Sequence, residues 1–539
     1  MPRVLIADKL EAAGVEILTA AGIEVDNRPG LKGDELKAAL RAADAAIVRS
    51  QPKLTAEYFE DVGNLRAIAR AGVGVDNIDV PAATRKGVVV MNTPGGNSVS
   101  AAEHTIALLL ALSRRVPAAD AVMKAGGWDR NKFVGTEVAG KTLGVVGLGR
   151  IGREVARRAK GLDMRVIALD PFVTPAKAAE LGYDTAANLD ELLPKVDYLT
   201  VHVPLGEGTK SLIGSRELGM MKKTARVLNV ARGGIVDEHA LAEALANGTI
   251  AGAGIDVFSV EPIAADNPLL KAPNVVLTPH LGASTLEAQE NVALEAAQLI
   301  ADFVLKGQVA NAVNMAAVNP AELAEVRPYV DLARRLGLLQ AQTAQGAVRK
   351  ATLSYRGDLA GQKTRLLTAA FTAGLLEYRL SGGVNLVNAE LLARERGIEI
   401  AESANPKKGD FAALLHTEVE TEQGTTVAAG TLFGDQYVRL VQLGPYRMEG
   451  YLDGVLLVFL HRDVPGLIGF VGTIFGTYGV NIAQMTVGRV APGGEAIGIL
   501  NLDSPPPEQA VAAVKGHPQI SSVSVVKLPK AGELPGWLG

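Results

Sequence analysis

The chain has 539 residues, 48% of them hydrophobic, with 54 basic and 58 acidic side chains for a net charge of -4, seven histidines and no cysteine. That length exceeds what a single hydrophobic core sustains, so three or four domains are expected. The near-neutral balance, without a polybasic face, argues against nucleic acid or anionic lipid as partner. Lack of cysteine excludes disulfides, thiolate metal sites and cysteine nucleophiles. Chemistry must therefore come from His, Asp, Glu, Arg, Lys or a cofactor, and no metal is expected.

The opening stretch "MPRVLIADKLEAAG" passes straight into an apolar strand pattern without a basic leader, and no window offers about 20 uninterrupted apolar residues. A cytoplasmic protein with no membrane association is the expectation. Short apolar strands then alternate with helical stretches: "RVLIAD", "AAIVRS", "LRAIARAG" and "GVVVMN" are separated by segments such as "KGDELKAALRAA". This is the rhythm of parallel strands joined by crossover helices.

The rhythm restarts near Lys141 with "TLGVVGLG", "RVIALD", "YLTVHVPL", "ARVLNVARGG", "GAGIDVF" and "NVVLTPH", giving a second open α/β domain. Two long apolar helices flank this second unit. Ser100 with Glu103, and Ser284 with Glu287, have the spacing of capping boxes at their starts. Their placement suggests crossing helices that make the first domain discontinuous, with a cleft between the lobes.

Beyond about residue 314 the pattern changes. "ATLSYRGDLA", "LLARERGIEIAES" and "TTVAAGTLFGDQYVRLVQL" read as strands and helices without a chemical motif. The last segment is clear again: "GVLLVFLHR", helix "GLIGFVGTIFGTYG", "NIAQMTVGRV", a turn at "PGGE", "AIGILNLD", helix "PEQAVAAVKG" and "SSVSVVKL". That is βαββαβ, the ferredoxin-like order.

The sharpest motif is "TLGVVGLGRIGREVARRAKGLDMRVIALD". Gly147, Gly149 and Gly152 form G-x-G-x-x-G directly after a strand and before a helix. Gly147 permits the tight turn, Gly149 lets the backbone approach a pyrophosphate, and Gly152 allows close helix-strand packing. The helix N-terminus supplies N-H groups and a positive dipole for the anion. Asp170, ending the next strand, is placed to accept from a ribose 2'-hydroxyl, and its charge repels a 2'-phosphate. NAD is therefore expected over NADP.

An alcohol oxidised by a nicotinamide needs a group that takes the hydroxyl proton, a task that suits imidazole. Three later strand ends supply candidates: Arg232 in "LNVARGGIVDE", Glu261 in "GIDVFSVEP" and His280 in "LTPHLGAST". Sheets of this type bind ligands outside the carboxyl ends of their strands. Structural roles suit His104, His202 and His239 better.

Together these motifs resemble the D-isomer-specific 2-hydroxyacid dehydrogenases. The resemblance spans the whole chain and implies NAD-linked oxidation of D-3-phosphoglycerate to 3-phosphohydroxypyruvate, the entry step to serine. It implies His280 as acid/base, Glu261 hydrogen-bonded to it, and Arg232 on the substrate's carboxylate and carbonyl oxygen. Further cofactor contacts implied are Arg150, Ile151, Val203, Pro204, Val230, Ala231, Asp256 near the carboxamide, Gly282 and Ala283. In the first domain, "IVRSQPKLT" and "ARAGVGVDNID" resemble the substrate loops. Backbone N-H groups near Val73 and Gly74 would face the carboxylate, Arg49 and Arg70 the phosphate, with Ser50 and Asn97 nearby.

The tail "FLHRDVPGLIGFVGTIFGTYGVNIAQMTVGR" resembles the ACT domain, which commonly binds amino acids between paired copies. By position His461, Asp463 and Asn481 match serine-binding points, although Asp463 stands where some relatives have asparagine. Residues near 314 to 450 resemble the intervening domain of long family members, which supports oligomer contacts and anion binding.

The expected architecture is thus α/β. A discontinuous Rossmann-like substrate domain (1-97 and 284-313) brackets a doubly wound NAD-binding domain (98-283). An α+β intervening domain (314-450) and an ACT domain (451-539) follow. A homo-oligomer, dimer or tetramer, is expected. Glu261 argues against formate dehydrogenases, which carry glutamine there. Another D-2-hydroxyacid dehydrogenase, or a non-catalytic NAD-sensing partner protein of the same fold, is the alternative.

Overall fold

The computed structural model describes residues 1–315, 320–362, 364–380, 384–434 and 437–533, with side chains of 320–324 left out. The reading of "TTVAAGTLFGDQYVRLVQL" as strands therefore crosses two positions, 435 and 436, outside the described residues. The chain divides into two compact units. One comprises Met1–Lys9, Val15–Asn92 and Ala296–Gly539; the other comprises Leu10–Gly14 and Thr93–Glu295.

The first unit opens with β1 (Arg3–Ile6), β2 (Glu24–Asn27), β3 (Ala45–Val48), β4 (Ala67–Arg70) and β5 (Val89–Asn92). They form a parallel sheet in the order β2-β1-β3-β4-β5. β3 is buried throughout, as expected of a strand covered on both faces, whereas β2 is a partly exposed edge.

The second unit holds β6 (Thr142–Val146), β7 (Arg165–Leu169), β8 (Asp184–Thr185), β9 (Tyr198–Val201), β10 (Arg226–Asn229), β11 (Gly252–Ile255) and β12 (Val275–Leu277). All seven strands are parallel, in the order β12-β11-β10-β9-β6-β7-β8. The order reverses at β6, whose two neighbours are β9 and β7, so the topological switch point lies at the glycine loop. The helix Arg150–Gly161 buries Gly152, Val155, Ala156 and Ala159, the helical spacing of a single face, and leaves its arginines outside.

The remainder of the first unit carries two more sheets. One contains β13 (Val348–Gly357), β14 (Glu399–Asn405), β15 (Ala413–Thr421), β16 (Gly424–Phe433), β17 (Tyr437–Leu443) and β18 (Tyr446–Tyr451), ordered β14-β13-β15-β16-β17-β18. Only the β13-β14 pair is parallel. The last sheet is β19 (Val455–Arg462), β20 (Ile482–Arg489), β21 (Glu495–Leu502) and β22 (Ile520–Lys527), ordered β20-β21-β19-β22 and antiparallel. With helices Leu467–Thr477 and Glu508–Lys515 this is the ferredoxin-like order.

These two sheets are joined by Arg335, the largest fully buried side chain among the described residues. It donates to Asp331 Oδ2 at 2.8 Å and to the carbonyls of Leu452, Pro529, Lys530 and Glu533 at 2.7–3.3 Å. A buried guanidinium surrounded by acceptors is a strut, and removing it would strand those groups.

Two helix starts differ from the sequence expectation. Ser100 lies inside the helix Ser98–Ser113, and its hydroxyl donates to Gly282 O at 2.8 Å instead of capping. At the helix Leu286–Lys306, Thr285 takes the place of Ser284, its Oγ1 accepting from Ala288 N at 3.1 Å. In both cases spacing alone misplaces the cap by one or more residues. Among the described residues no helix is long and apolar enough to cross a membrane, and no cluster of metal-ligating side chains occurs.

Candidate active site

The glycine loop begins where β6 ends. Gly147 has φ +91°, and a Cβ there would lie 2.5 Å from His202 O, so only glycine fits. A Cβ on Gly152 would strike Gly147 O at 2.0 Å, which lets the helix begin hard against the strand. Above Gly149, in contrast, a Cβ would meet nothing within 4 Å. Gly149 is the N-cap of the helix, and no side chain caps it. An open cradle, unclaimed N-H groups and the helix dipole fit a pyrophosphate. Asp170 ties the loop down, accepting from Leu148 N at 2.7 Å and Phe172 N at 2.8 Å. Each oxygen keeps a lone pair for a ribose hydroxyl. Arg150 and Ile151 open the helix, and Val203 and Pro204 follow β9.

Three further strand ends carry the expected chemistry. After β10, Asn229 Oδ1 accepts from Ala231 N at 3.0 Å while its Nδ2 donates to Arg232 O at 2.9 Å, folding Val230, Ala231 and Arg232 into a fixed turn. A Cβ on Gly233 would sit 2.0 Å from Phe258 C and O, so the arginine's turn abuts the loop after β11. In that loop Glu261 Oε1 accepts from Phe258 N at 3.0 Å, and Oε2 lies 2.7 Å from Nδ1 of His280. The pair is half-exposed. With Nδ1 facing the carboxylate, Nε2 is the ring nitrogen that Glu261 leaves open.

His280 has φ +55°, a left-handed conformation uncommon for a residue with a side chain. Asp256 holds it there. Its carbonyl accepts from His280 N at 2.8 Å, Oδ1 from Leu281 N at 2.8 Å and Oδ2 from Gly282 N at 2.9 Å. Thr278 Oγ1 and His104 Nε2 also reach Oδ1, the latter at 3.1 Å. Burial pushes the Asp256 carboxyl up, but these donors outweigh it and hold the group below the ordinary carboxylate range. The resemblance places Asp256 near the carboxamide; here the fully buried carboxylate is occupied in shaping the 280–282 turn. Sequence alone does not single out His104, Thr278 and Asn229 for these tasks, since each is an isolated polar residue in an apolar pattern.

His202, just past β9, has Nε2 2.8 Å from Thr200 Oγ1 and a buried, unpartnered Nδ1. Burial lowers its pKa to about 4, so it stays neutral at pH 7. His239 is exposed on the helix Glu238–Ala246.

In the first unit the substrate candidates gather at the ends of β3 and β4. Arg70 Nε donates to Arg49 O at 3.2 Å, joining the two loops, and its guanidinium lies where a Cβ on Gly72 would stand. Asn77 bridges Arg49 O and Pro52 O, and Asn92 donates to Val73 O at 2.6 Å, which orients the Val73 and Gly74 stretch. Ser50 is exposed beside Arg49. Asn97 belongs to the second unit, where its Oδ1 is buried without a partner.

Within one copy the effector candidates do not all meet: His461 and Asp463 share one end of β21, and Asn481 lies at the other. His461, at the end of β19, has Nδ1 2.7 Å from Arg462 O and a buried, unpartnered Nε2. Asp463 accepts from Arg489 at 2.8 Å and Gly493 N at 3.1 Å. Asn481 donates to Asp503 at 2.8 Å. Because Arg462 pairs with Glu495 and Ile482 with Leu502, Asp463 and Asn481 lie at opposite ends of β21.

The chain is similar to known proteins over nearly its whole length. The family model for the NAD-binding domain of D-isomer specific 2-hydroxyacid dehydrogenases matches residues 106–282. Models for the D-3-phosphoglycerate dehydrogenase intervening domain and the ACT domain match 325–444 and 454–518. D-3-phosphoglycerate dehydrogenases from Archaeoglobus fulgidus and Bacillus subtilis are 42% and 39% identical, each over 98% of this chain and 100% of their own. The chain belongs to the D-3-phosphoglycerate dehydrogenase family. Among solved structures, a glyoxylate reductase from Paecilomyes thermophila is 29% identical with a TM-score of 0.54, covering 58% of this chain and 98% of its own. An NAD-dependent formate dehydrogenase from Staphylococcus aureus, solved with NAD, is 30% identical with a TM-score of 0.51, covering 57% and 96%. In this family setting, the glycine loop and the Glu261–His280 pair stand in one compact unit.

Proposed function

We propose that this chain oxidises D-3-phosphoglycerate to 3-phosphohydroxypyruvate with NAD, the first step toward serine. The observation that carries it is the Glu261–His280 pair, 2.7 Å apart on strand ends of the same parallel sheet as the glycine loop. NAD, when bound, supplies the hydride acceptor. His280 Nε2 takes the C2 hydroxyl proton, and Glu261 stabilises the imidazolium and fixes the ring. Arg232 grips the substrate carboxylate with paired N-H groups and polarises the carbonyl in the reverse direction. Asp256 keeps the histidine turn in place. Asp170 selects against a 2'-phosphate by charge.

Arg49 and Arg70 are assigned to the phosphate, the Val73 and Gly74 amides to the carboxylate, and Ser50 and Asn97 to supporting contacts. We assign 1–97 with 284–313 to substrate, 98–283 to NAD, 314–450 to the intervening domain and 451–539 to the ACT domain. For the ACT domain we assign a serine site built by a second copy. Asp463 and Asn481 lie at opposite ends of β21, so one small amino acid touches both only when two copies pair. A homo-oligomer follows from that reading, and a cytoplasmic location is proposed with it.

The test is NADH formation from a panel of 2-hydroxy acids, with and without serine. Turnover of D-3-phosphoglycerate far above the unphosphorylated acids is expected. Good turnover of an unphosphorylated acid with none of the phosphorylated one would overturn the substrate. Absence of turnover with intact NAD binding would favour an NAD-sensing protein.

A further inference from the structure

Glu261 sits on a loop with little to hold it. Phe258 and Leu269 are buried at its ends, but between them Ser259 to Pro262 and Ala264 to Asp266 are exposed, Ile263 is only partly buried, and Val260 is 64% exposed. Polar contacts must therefore fix the loop, and several of them end on one carboxylate. Glu238 Oε1 accepts from Ser259 N and Ser259 Oγ, both at 2.6 Å, and Oε2 accepts from Asn267 Nδ2 at 2.5 Å. Asn267 in turn accepts from Leu269 N at 3.0 Å, where the loop re-enters the core. Glu238 thus holds both ends of the segment that carries Glu261.

The same contact reaches the arginine. Ser259 N belongs to the Phe258–Ser259 peptide, against which Gly233 packs too closely for any Cβ. Glu238 is the first residue of the helix Glu238–Ala246, six positions after Arg232. The neighbouring Asp237 performs the ordinary cap, accepting from Ala240 N at 2.9 Å, so Glu238 is not needed for that task. Lys210, Asp237, His239 and Asp266 are the other charged or titratable groups lining the depression beside this loop, a space of about 320 Å³.

We propose that Glu238 is a positioning residue for the dehydrogenase reaction, acting through Ser259 and Asn267 to keep Glu261 on His280 and the Arg232 turn in register. The inference rests on the acid/base reading of His280 and Glu261. A displacement of about 1 Å at a reacting group costs up to roughly 10²-fold in rate, which sets the scale of the effect.

The experiment compares Glu238→Ala, Glu238→Gln, Ser259→Ala, Glu261→Gln and His280→Ala in the full-length enzyme. Readouts are kcat, KM, NAD affinity, thermal midpoint and the pH profile of kcat/KM. Glu238→Ala should lower kcat about 10- to 100-fold, with NAD affinity near wild type. Its acid limb should move to lower pH, in the same direction as Glu261→Gln, because the imidazolium loses its carboxylate. Glu238→Gln, which can still accept at one oxygen, should recover most of the rate, and Ser259→Ala should fall between.

A near-normal kcat for Glu238→Ala, alongside a large loss in His280→Ala, overturns the inference alone. A near-normal kcat for His280→Ala overturns the acid/base reading on which it rests. If Glu238→Ala loses NAD binding and thermal stability with an unmoved pH profile, the residue is merely structural and the proposal fails.

Discussion

The parallel sheet of the NAD-binding unit and the antiparallel sheet of the ACT domain gather residues in opposite ways. In the first, β10, β11 and β12 run in one direction, so Arg232, Glu261 and His280 follow the same edge of the sheet, and Glu261 and His280 pair within one copy. In the second, β21 runs against both β19 and β20, so the end of one strand and the start of another fall at opposite edges. Asp463 finds Arg489, while Asn481 finds Asp503. On the proposed reading, strand polarity makes the first site complete in a monomer and the second one shared between copies.

The hardest test of the self-contained half is His280→Ala. It should lower kcat roughly 10²- to 10⁴-fold, the range of a lost acid/base group, while NAD affinity measured by fluorescence titration stays close to wild type. A second variant, Arg335→Met, probes the other half. It strips the donor from four carbonyls and leaves Asp331 unpaired in the interior, so unfolding should become easier by about 3–5 kcal/mol. NAD affinity should be retained; its loss would contradict the independence of the two regions' chemistry.

Acid should expose the NAD-binding sheet through His202. Its folded pKa of about 4 lies below the ordinary value of 6.5, so the unfolded chain binds the extra proton between those limits. Stability is then present above pH 6.5 and falls as pH drops toward 4, by up to roughly 3 kcal/mol. Replacing His202 with glutamine should flatten that limb in a denaturant series. The smallest effect concerns the shared half: diluting the protein until copies separate should weaken any serine response, whereas kcat per active unit without serine should hold steady.

Much of this is legible from residues because it is local. The glycine loop declares itself through four features within about thirty positions: strand, spacing, helix and Asp170. The residues proposed for catalysis are legible as polar residues at the ends of apolar strands. What escapes depends on distant partners. β2 and β8 are short edge strands of polar composition, with no apolar run to mark them. The capping spacing at Ser100 misleads because its hydroxyl is spent on Gly282, 182 residues away. His104 reads as a structural histidine, yet its partner Asp256 also holds the 280–282 turn. The parallel pair β13-β14 inside an otherwise antiparallel sheet requires a crossover that periodicity does not encode.

The left-handed backbone at His280 sets folding and chemistry at odds. At φ +55° an ordinary residue bears a cost of order 1 kcal/mol that glycine escapes. A mutational search for heat resistance would therefore be drawn toward glycine at this codon and, under the proposed acid/base role, would collect inert proteins there. With His280 in the proposed acid/base role, selection for turnover would have to oppose that drift, and position 280 would answer to a demand of the reaction that the fold by itself would discard.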